Sequence, residues 1–245
     1  MKSKVSFLIA GAQKAGTTAL DAYLRQHPEV QMAEPKEVHF FDRETGVDWT
    51  SPDYEVLHGH YRDEPSRLRG EATPVTLYWS PAHQRVFAYN PSMKFIIMLR
   101  DPAHRALSHW RMNRSNNLEA LPFSEAIREG RARVVRDTPH TGLSRHFSYV
   151  ERGFYGQQIE ALARLFPLTN MRFFTQTDLL SNPDLVVRSI TNFLGVEPSA
   201  PIDRELHNVT IGEDETTLSS TDKDYLAEIY GADTEKLHAL TGIRF

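Results

Sequence analysis

Cysteine is absent from this chain of 245 residues. That absence excludes disulfide bridges, thiolate metal centres and cysteine nucleophiles together. Long apolar runs are missing as well. No stretch approaches the ~20 consecutive apolar residues of a membrane-spanning helix, and the apolar run after Lys4 is too short for a signal-peptide core before it meets Gly11. The expectation is a cytoplasmic protein with no membrane partner. Surplus charge is small: 28 Lys and Arg stand against 32 Asp and Glu, a formal charge of -4. With a pI near 6.3, the chain has no global basic field to draw in nucleic acid. Any anion it binds must be met by basic residues placed locally. What the composition does supply is a 40% apolar fraction, enough to bury a substantial core. Without an internal repeat or a convincing linker, the chain reads as one domain over 1–245.

The segment "KVSFLIA" (residues 4–10) is β-branched and aromatic and stops at glycine, the pattern of a buried strand; "TTALDAYLRQH" after the intervening loop reads as a helix. "KFIIMLR" (94–100) and "MRFFTQ" (171–176) predict two more buried strands. Helices fill the intervals. "DPAHRALSHWRMNR" opens with Asp101 as a cap and Pro102 in the first turn, and "YGQQIEALARLF" spaces Ile159, Leu162, Ala163 and Phe166 for one helical face. "NPDLVVRSITNFLG" is bounded by Asn182 and Gly195. This alternation predicts an α/β fold with a parallel sheet flanked by helices. Residues 42–53, 114–122 and 136–143 are polar, with proline or glycine, and read as loops; 196–221 has the weakest apolar periodicity and reads as surface wrapping.

Between the first strand and the first helix lies "GAQKAGTTAL". Gly11 and Gly16 keep the spacing of a Walker A loop, but Thr17 and Thr18 follow the second glycine and the only lysine, Lys14, sits inside the loop. A glycine-rich turn entering a helix exposes backbone N–H groups at the positive end of the helix dipole, so an anion suits it. The displaced lysine argues against a standard ATP or GTP site. A tight turn with a solvated Lys14 is the other reading of the same residues.

In its setting the loop resembles the 5′-phosphosulfate loop of sulfotransferases that use 3′-phosphoadenosine 5′-phosphosulfate (PAPS), a family with a fold related to P-loop kinases. "PKEVHFFD" (35–42) is similar to the segment after the first helix in heparan sulfate 3-O-sulfotransferases and their bacterial relatives. "FIIMLRDPAHRALSHW" (95–110) resembles their 3′-phosphate-binding segment, and "GEATPVTLY" (70–78) a segment between the two. A looser likeness continues through "LARLFP" to the terminal "LHALTGIRF". The resemblance implies a P-loop-like sulfotransferase fold and assigns roles by position. Gln13, Lys14, Ala15, Gly16, Thr17 and Thr18 would hold the donor, with Arg100 and Ser108 on its 3′-phosphate. Glu37 would be the general base, and Asp42 would orient a basic group. Two departures stand out: "IGEDETTLSS" is acidic where heparan-type relatives carry a cysteine-bridged basic loop, and Ala72 stands where they place a lysine.

The residues also admit plainer readings. Arg100 leaves the carboxyl end of a strand, where open α/β sheets bind ligands, and its planar fork suits phosphate; it equally suits an ion pair with Asp101. Ser108 is either a phosphate ligand or a small residue packed beside Leu107. Glu37 is either a base whose pKa is raised by burial beside Phe40 and Phe41, or a surface partner of Lys36. His39, on the same side of an extended segment, is a second base, an acceptor ligand or a core histidine.

The implied chemistry is in-line sulfuryl transfer, with Lys14 neutralising the bridging oxygen as 3′,5′-ADP departs and no metal required. The acceptor would be a hydroxyl, less readily an amine, of a small molecule or carbohydrate. The arginines of "REGRARVVR" (128–136) fit either a polyanion cleft or a solvated helix face. Two rivals are a P-loop small-molecule kinase and a non-catalytic binder of adenosine 3′,5′-bisphosphate.

Overall fold

Val5, Phe7, Leu8, Ile9 and Ala10 expose no surface to solvent. They form strand β1 (Val5–Gly11), the centre of a five-stranded sheet in the computed structural model, which describes residues 4–64, 66–135, 142–197, 202–203 and 218–245. The sheet order is β2-β3-β1-β4-β5, with β2 Val30–Met32, β3 Leu68–Glu71, β4 Lys94–Leu99 and β5 Met171–Thr175. Every pairing is parallel, and Leu8 lies in register with Phe95 and Ile97 with Phe173. A parallel sheet covered on both faces needs apolar side chains on both, which is why β1 and β4 were legible as continuous hydrophobic runs.

Strands β2 and β3 were not foreseen. One has only three residues, and the other, "LRGE", carries a charge at two of its four positions. Burial of β3 depends on particular contacts. A Cβ on Gly70 would lie 2.1 Å from Cζ of Phe7, so only glycine lets β3 lie against β1. Buried Arg69 stacks on Tyr61 at 5.1 Å and donates to the Arg62 carbonyl at 3.1 Å.

The helices in chain order are α1 (Thr17–Arg25), α2 (Glu55–His58), α3 (Ser80–Tyr89), α4 (Pro102–Ser115), α5 (Phe123–Ala126), α6 (Gly130–Val135), α7 (Leu143–Phe147), α8 (Tyr155–Ala163), α9 (Gln176–Ser181), α10 (Pro183–Leu194) and α11 (Ser220–Thr241). None among the described residues is long and apolar enough to cross a membrane. The chain falls into two compact units: Met1–Leu99 with Ala161–Ile211, and Arg100–Glu160 with Gly212–Phe245.

The first unit holds the sheet, with α1, α2, α3, α9 and α10. Phe166 packs on Phe95 with ring centroids 4.7 Å apart. In the second unit, Leu107, Phe123, Ile127, Tyr149, Leu226 and Tyr230 share one apolar cluster. Here the arginine-rich run finds its explanation. Arg128 meets Asp222 at 2.6 Å, Arg131 meets Glu151 at 2.9 Å and Arg133 meets Glu119 at 2.7 Å. Each of these arginines is ion-paired with a carboxylate from another segment; Arg136 lies outside the described residues, as do 198–201 and 204–217 of the segment expected to wrap the surface.

Candidate functional site

Strand β1 ends at Gly11, and α1 begins six residues later at Thr17. Within the connection Lys14 (φ 71) and Gly16 (φ 94) take left-handed backbone conformations. Such residues turn successive N–H groups toward one side, the geometry of an anion-binding nest. Gly16 is the N-cap of α1 and no side chain caps the helix, so its first-turn N–H groups have no side-chain capping partner. A Cβ on Gly16 would lie 3.4 Å from Leu179 of α9, on which the loop rests. Gln13 to Thr18 are therefore brought together in one turn, with Thr17 buried and Thr18 exposed. Backbone donors, hydroxyls and a lysine form a donor set that fits a sulfate or phosphate group.

Beyond β2, the segment 35–42 carries no regular secondary structure but holds a cluster of charges. Glu37 (φ 62) and His39 (φ 53) are both left-handed, a conformation that costs a non-glycine residue roughly 1–2 kcal/mol and persists only where surroundings enforce it. His39 Nδ1 lies 3.0 Å from Asp42 Oδ2, and its Nε2 lies 3.5 Å from Glu37 Oε2. Lys36 Nζ approaches Glu37 Oε1 at 2.5 Å. The Asp42 side chain is 1% exposed and that of Glu37 42%.

Held between two carboxylates, first Asp42 and then Glu37, the His39 imidazole is pushed up to about 9. The hydrogen bond from His39 is the main influence holding the Glu37 carboxyl down at about 2; partial burial opposes it and Lys36 adds to it. This corrects the expectation that burial raises Glu37. Phe40 and Phe41 are buried and meet edge to face at 5.3 Å, but Glu37 itself is exposed, and the surface pairing with Lys36 is present. His39 does face Glu37, on a left-handed rather than an extended backbone.

Burial does raise the carboxyl of Glu71, at the carboxyl end of β3, which is pushed up to about 7. It is 2% exposed. Its Oε1 accepts hydrogen bonds from the Thr73 hydroxyl and from the Val38 N–H at 3.3 Å. Sequence reasoning passed over it, although a glutamate flanked by Gly70 and Ala72 before proline was a usable signal.

Arg100 and Ser108 belong to the second unit. Arg100 directly follows β4, is half-buried, and has its guanidinium pKa lowered by that burial; its carbonyl accepts the Tyr155 hydroxyl at 3.0 Å. Asp101 caps α4, accepting from the His104 N–H at 2.8 Å and lying 2.7 Å from His104 Nδ1. Ser108 lies half-buried on α4. A cavity of about 370 Å³ beside edge strand β2, bordered by Arg25, Gln31, Tyr61 and Arg67, includes none of the residues singled out from the sequence.

Comparison with known proteins agrees with the motifs. A family model described as "Sulfotransferase domain" matches residues 4–236. The chain is 32% identical over 197 residues to mouse heparan sulfate glucosamine 3-O-sulfotransferase 3B1, covering 78% of this chain and 46% of that protein. It is 34% identical over 194 residues to human heparan sulfate glucosamine 3-O-sulfotransferase 6, covering 78% and 52%. The chain thus spans about half the length of these curated relatives. A solved sulfotransferase from Alicyclobacillus acidocaldarius superposes with a TM-score of 0.82 at 25% identity, covering 99% of this chain and 98% of the other.

Proposed function

From the premise that the chain belongs to the sulfotransferase domain family, whose members in general depend on PAPS, we propose that it moves a sulfuryl group from PAPS to a hydroxyl of a small-molecule or carbohydrate acceptor. The observation that carries the reading is the turn from β1 into α1, with left-handed Lys14 and Gly16 and an uncapped helix start, a cradle for a tetrahedral anion. The family model runs through both compact units, which supports reading 1–245 as one sulfotransferase domain.

When bound, the donor supplies a sulfuryl group already activated by a phosphate leaving group. Gln13 to Thr18 hold that end of it, and Arg100 and Ser108 take the 3′-phosphate, each assigned by its own motif. Lys14 meets the negative charge that grows on the bridging oxygen as its bond to sulfur breaks, the point at which a preplaced cation lowers the barrier most. The acceptor oxygen attacks in line, and its proton passes to Glu37.

A carboxylate held at about 2 is a weak base toward a resting hydroxyl. Two features offset this. The hydroxyl becomes acidic only as its bond to sulfur forms, and an acceptor hydroxyl that displaces Lys36 from Oε1 removes one of the contacts that lowers Glu37. His39, held as a cation by Asp42, orients the second oxygen of Glu37 and is not itself a base at neutral pH. The names of the curated relatives support a carbohydrate acceptor. The net charge of -4 and the paired arginines of 128–133 favour one with little charge.

Incubation with PAPS and a mixture of hydroxyl acceptors, followed by mass spectrometry, tests the reading. The expected result is an acceptor heavier by one sulfo group, lost in Glu37→Gln. Transfer from ATP instead would make the chain a kinase. Binding of adenosine 3′,5′-bisphosphate that survives Glu37→Gln, with no turnover on any acceptor, would make it a binder.

A further inference from the structure

Two left-handed residues in a segment without regular secondary structure need something to hold them, and the groups that do so come from β3 and the turn after it. The Thr73 hydroxyl donates to Glu71 Oε1. The same Thr73 oxygen accepts the His39 N–H at 3.2 Å, and Glu71 Oε1 also accepts the Val38 N–H at 3.3 Å. The N–H of Val38, between the two strained residues, and that of His39 itself are thus fastened to one buried pair. A carboxyl and a hydroxyl, each 2% exposed, are a costly thing to bury unless their hydrogen bonds do structural work.

We propose that Glu71 and Thr73 are positioning residues, which fix the backbone at Val38 and His39 and so set the Glu37–His39–Asp42 contacts. The inference rests on the reading of Glu37 as the base only for its effect on rate; its effect on His39 is independent of any donor or acceptor. Neither residue is called on to touch substrate. Asp42 and His39 act on Glu71 from the 37–42 segment, and Tyr61 interacts with it from the loop before β3. Thr73 gives its proton to Glu71 and receives the His39 N–H on the same oxygen, and Glu71 Oε1 also receives the Val38 N–H, so each of these contacts needs residue 71 only as an acceptor. One acceptor oxygen on residue 71 therefore suffices, and a carbonyl-like oxygen serves as well as an ionised one. That chemistry separates the variants.

The test follows the His39 ring by NMR titration, with its signals assigned by their loss in His39→Gln, alongside steady-state kinetics with PAPS. In the unaltered protein the Asp42 and Glu37 carboxylates push His39 up to about 9, and its titration is expected there. Glu71→Ala and Thr73→Val should move that midpoint down toward the ordinary histidine value and cut kcat roughly 10²-fold, the scale of a catalytic group displaced by about 1 Å, while the KM for PAPS holds. Glu71→Gln, which keeps the acceptor oxygen, should rescue both. Circular dichroism establishes that Thr73→Val, the gentler change, remains folded. The proposal is overturned if His39 titrates alike in Thr73→Val and the unaltered protein, or if Glu71→Gln behaves as Glu71→Ala. Should no protein in the series turn over PAPS, the sulfuryl-transfer reading falls and the His39 titration still decides the positioning.

Discussion

In the proposed mechanism Lys14 stabilises charge on the departing oxygen, so its removal should act on rate more than on binding. Lys14→Ala is expected to lower kcat by about 10²–10³-fold, the usual cost of deleting one preplaced electrostatic donor, with the fold unchanged by circular dichroism. A kcat within a few-fold of the unaltered enzyme, on the scale where remote substitutions fall, would mean that the charge is met elsewhere. His39 makes a different prediction, in pH. In the proposed mechanism its ring acts as a cation, and the carboxylates of Asp42 and Glu37, which push it up to about 9, keep it charged through neutrality. kcat/KM should therefore hold through the neutral range and fall as pH rises through about 9, where the ring loses its proton and releases Glu37. His39→Gln, permanently neutral, should lower the plateau and erase that limb; a limb that persists belongs to another group. The meeting of Glu37, His39 and Asp42 was legible in the sequence because "KEVHFFD" carries them in order. Their protonation states were not, since these depend on left-handed backbone at Glu37 and His39 and on where the Lys36 side chain points, and no local pattern encodes either.

Strands β1 and β4 were readable because apolar residues fill both faces of a buried parallel strand, and β5 was readable from Met171, Phe173 and Phe174, although it is an edge strand with only Met171 buried rather than the buried strand expected; β2 and β3 owe their place to neighbours. Strand β3 is the instructive case. Its Arg69 is buried by stacking on Tyr61, its Gly70 by the ring of Phe7, and its Glu71 by hydrogen bonds from the Val38 N–H and the Thr73 hydroxyl; none of these partners lies within the strand. The helix α11 was likewise missed, because its start, with the cap Ser219, falls inside the polar stretch 196–221 read as surface wrapping. The dependence of β3 on Phe7 can be measured. A methyl on Gly70 would lie 2.1 Å from the ring, far inside contact distance, so Gly70→Ala should destabilise by about 1–3 kcal/mol or more, as overpacked cores do. Phe7→Leu removes the colliding ring edge. In a double-mutant cycle followed by urea denaturation, the pair should be less destabilised than the sum of the singles. Additive losses would show that Gly70 is required by something other than Phe7.

A buried acid leaves its mark on the stability of the whole unit that contains the sheet. Glu71 ionises at about 7 when folded against 4.5 as its ordinary value, so between those pH values the folded protein binds more protons than the unfolded chain. Stability rises with pH only where the unfolded state holds more protons, so here it must fall as pH climbs from 4.5 to 7. The shift corresponds to about 3 kcal/mol at most, from ~1.4 kcal/mol per pK unit. Glu37 and His39 act mainly outside this window. The lowered Glu37 contributes stability that is present above 4.5 and lost as pH falls through about 2. The raised His39 contributes stability that is full below 6.5 and lost as pH rises through about 9. Glu71→Gln isolates the buried acid, because the amide keeps an acceptor for Val38 and Thr73 but cannot ionise. Relative to the unaltered protein, the variant should therefore gain stability steadily from pH 4.5 to 7, and the difference should level off above that range. Denaturation midpoints measured across the window read this directly. A difference that stays constant with pH would show that Glu71 keeps its ordinary acidity in the fold, and that the polar pair beneath Val38 and His39 is wetter than its burial implies.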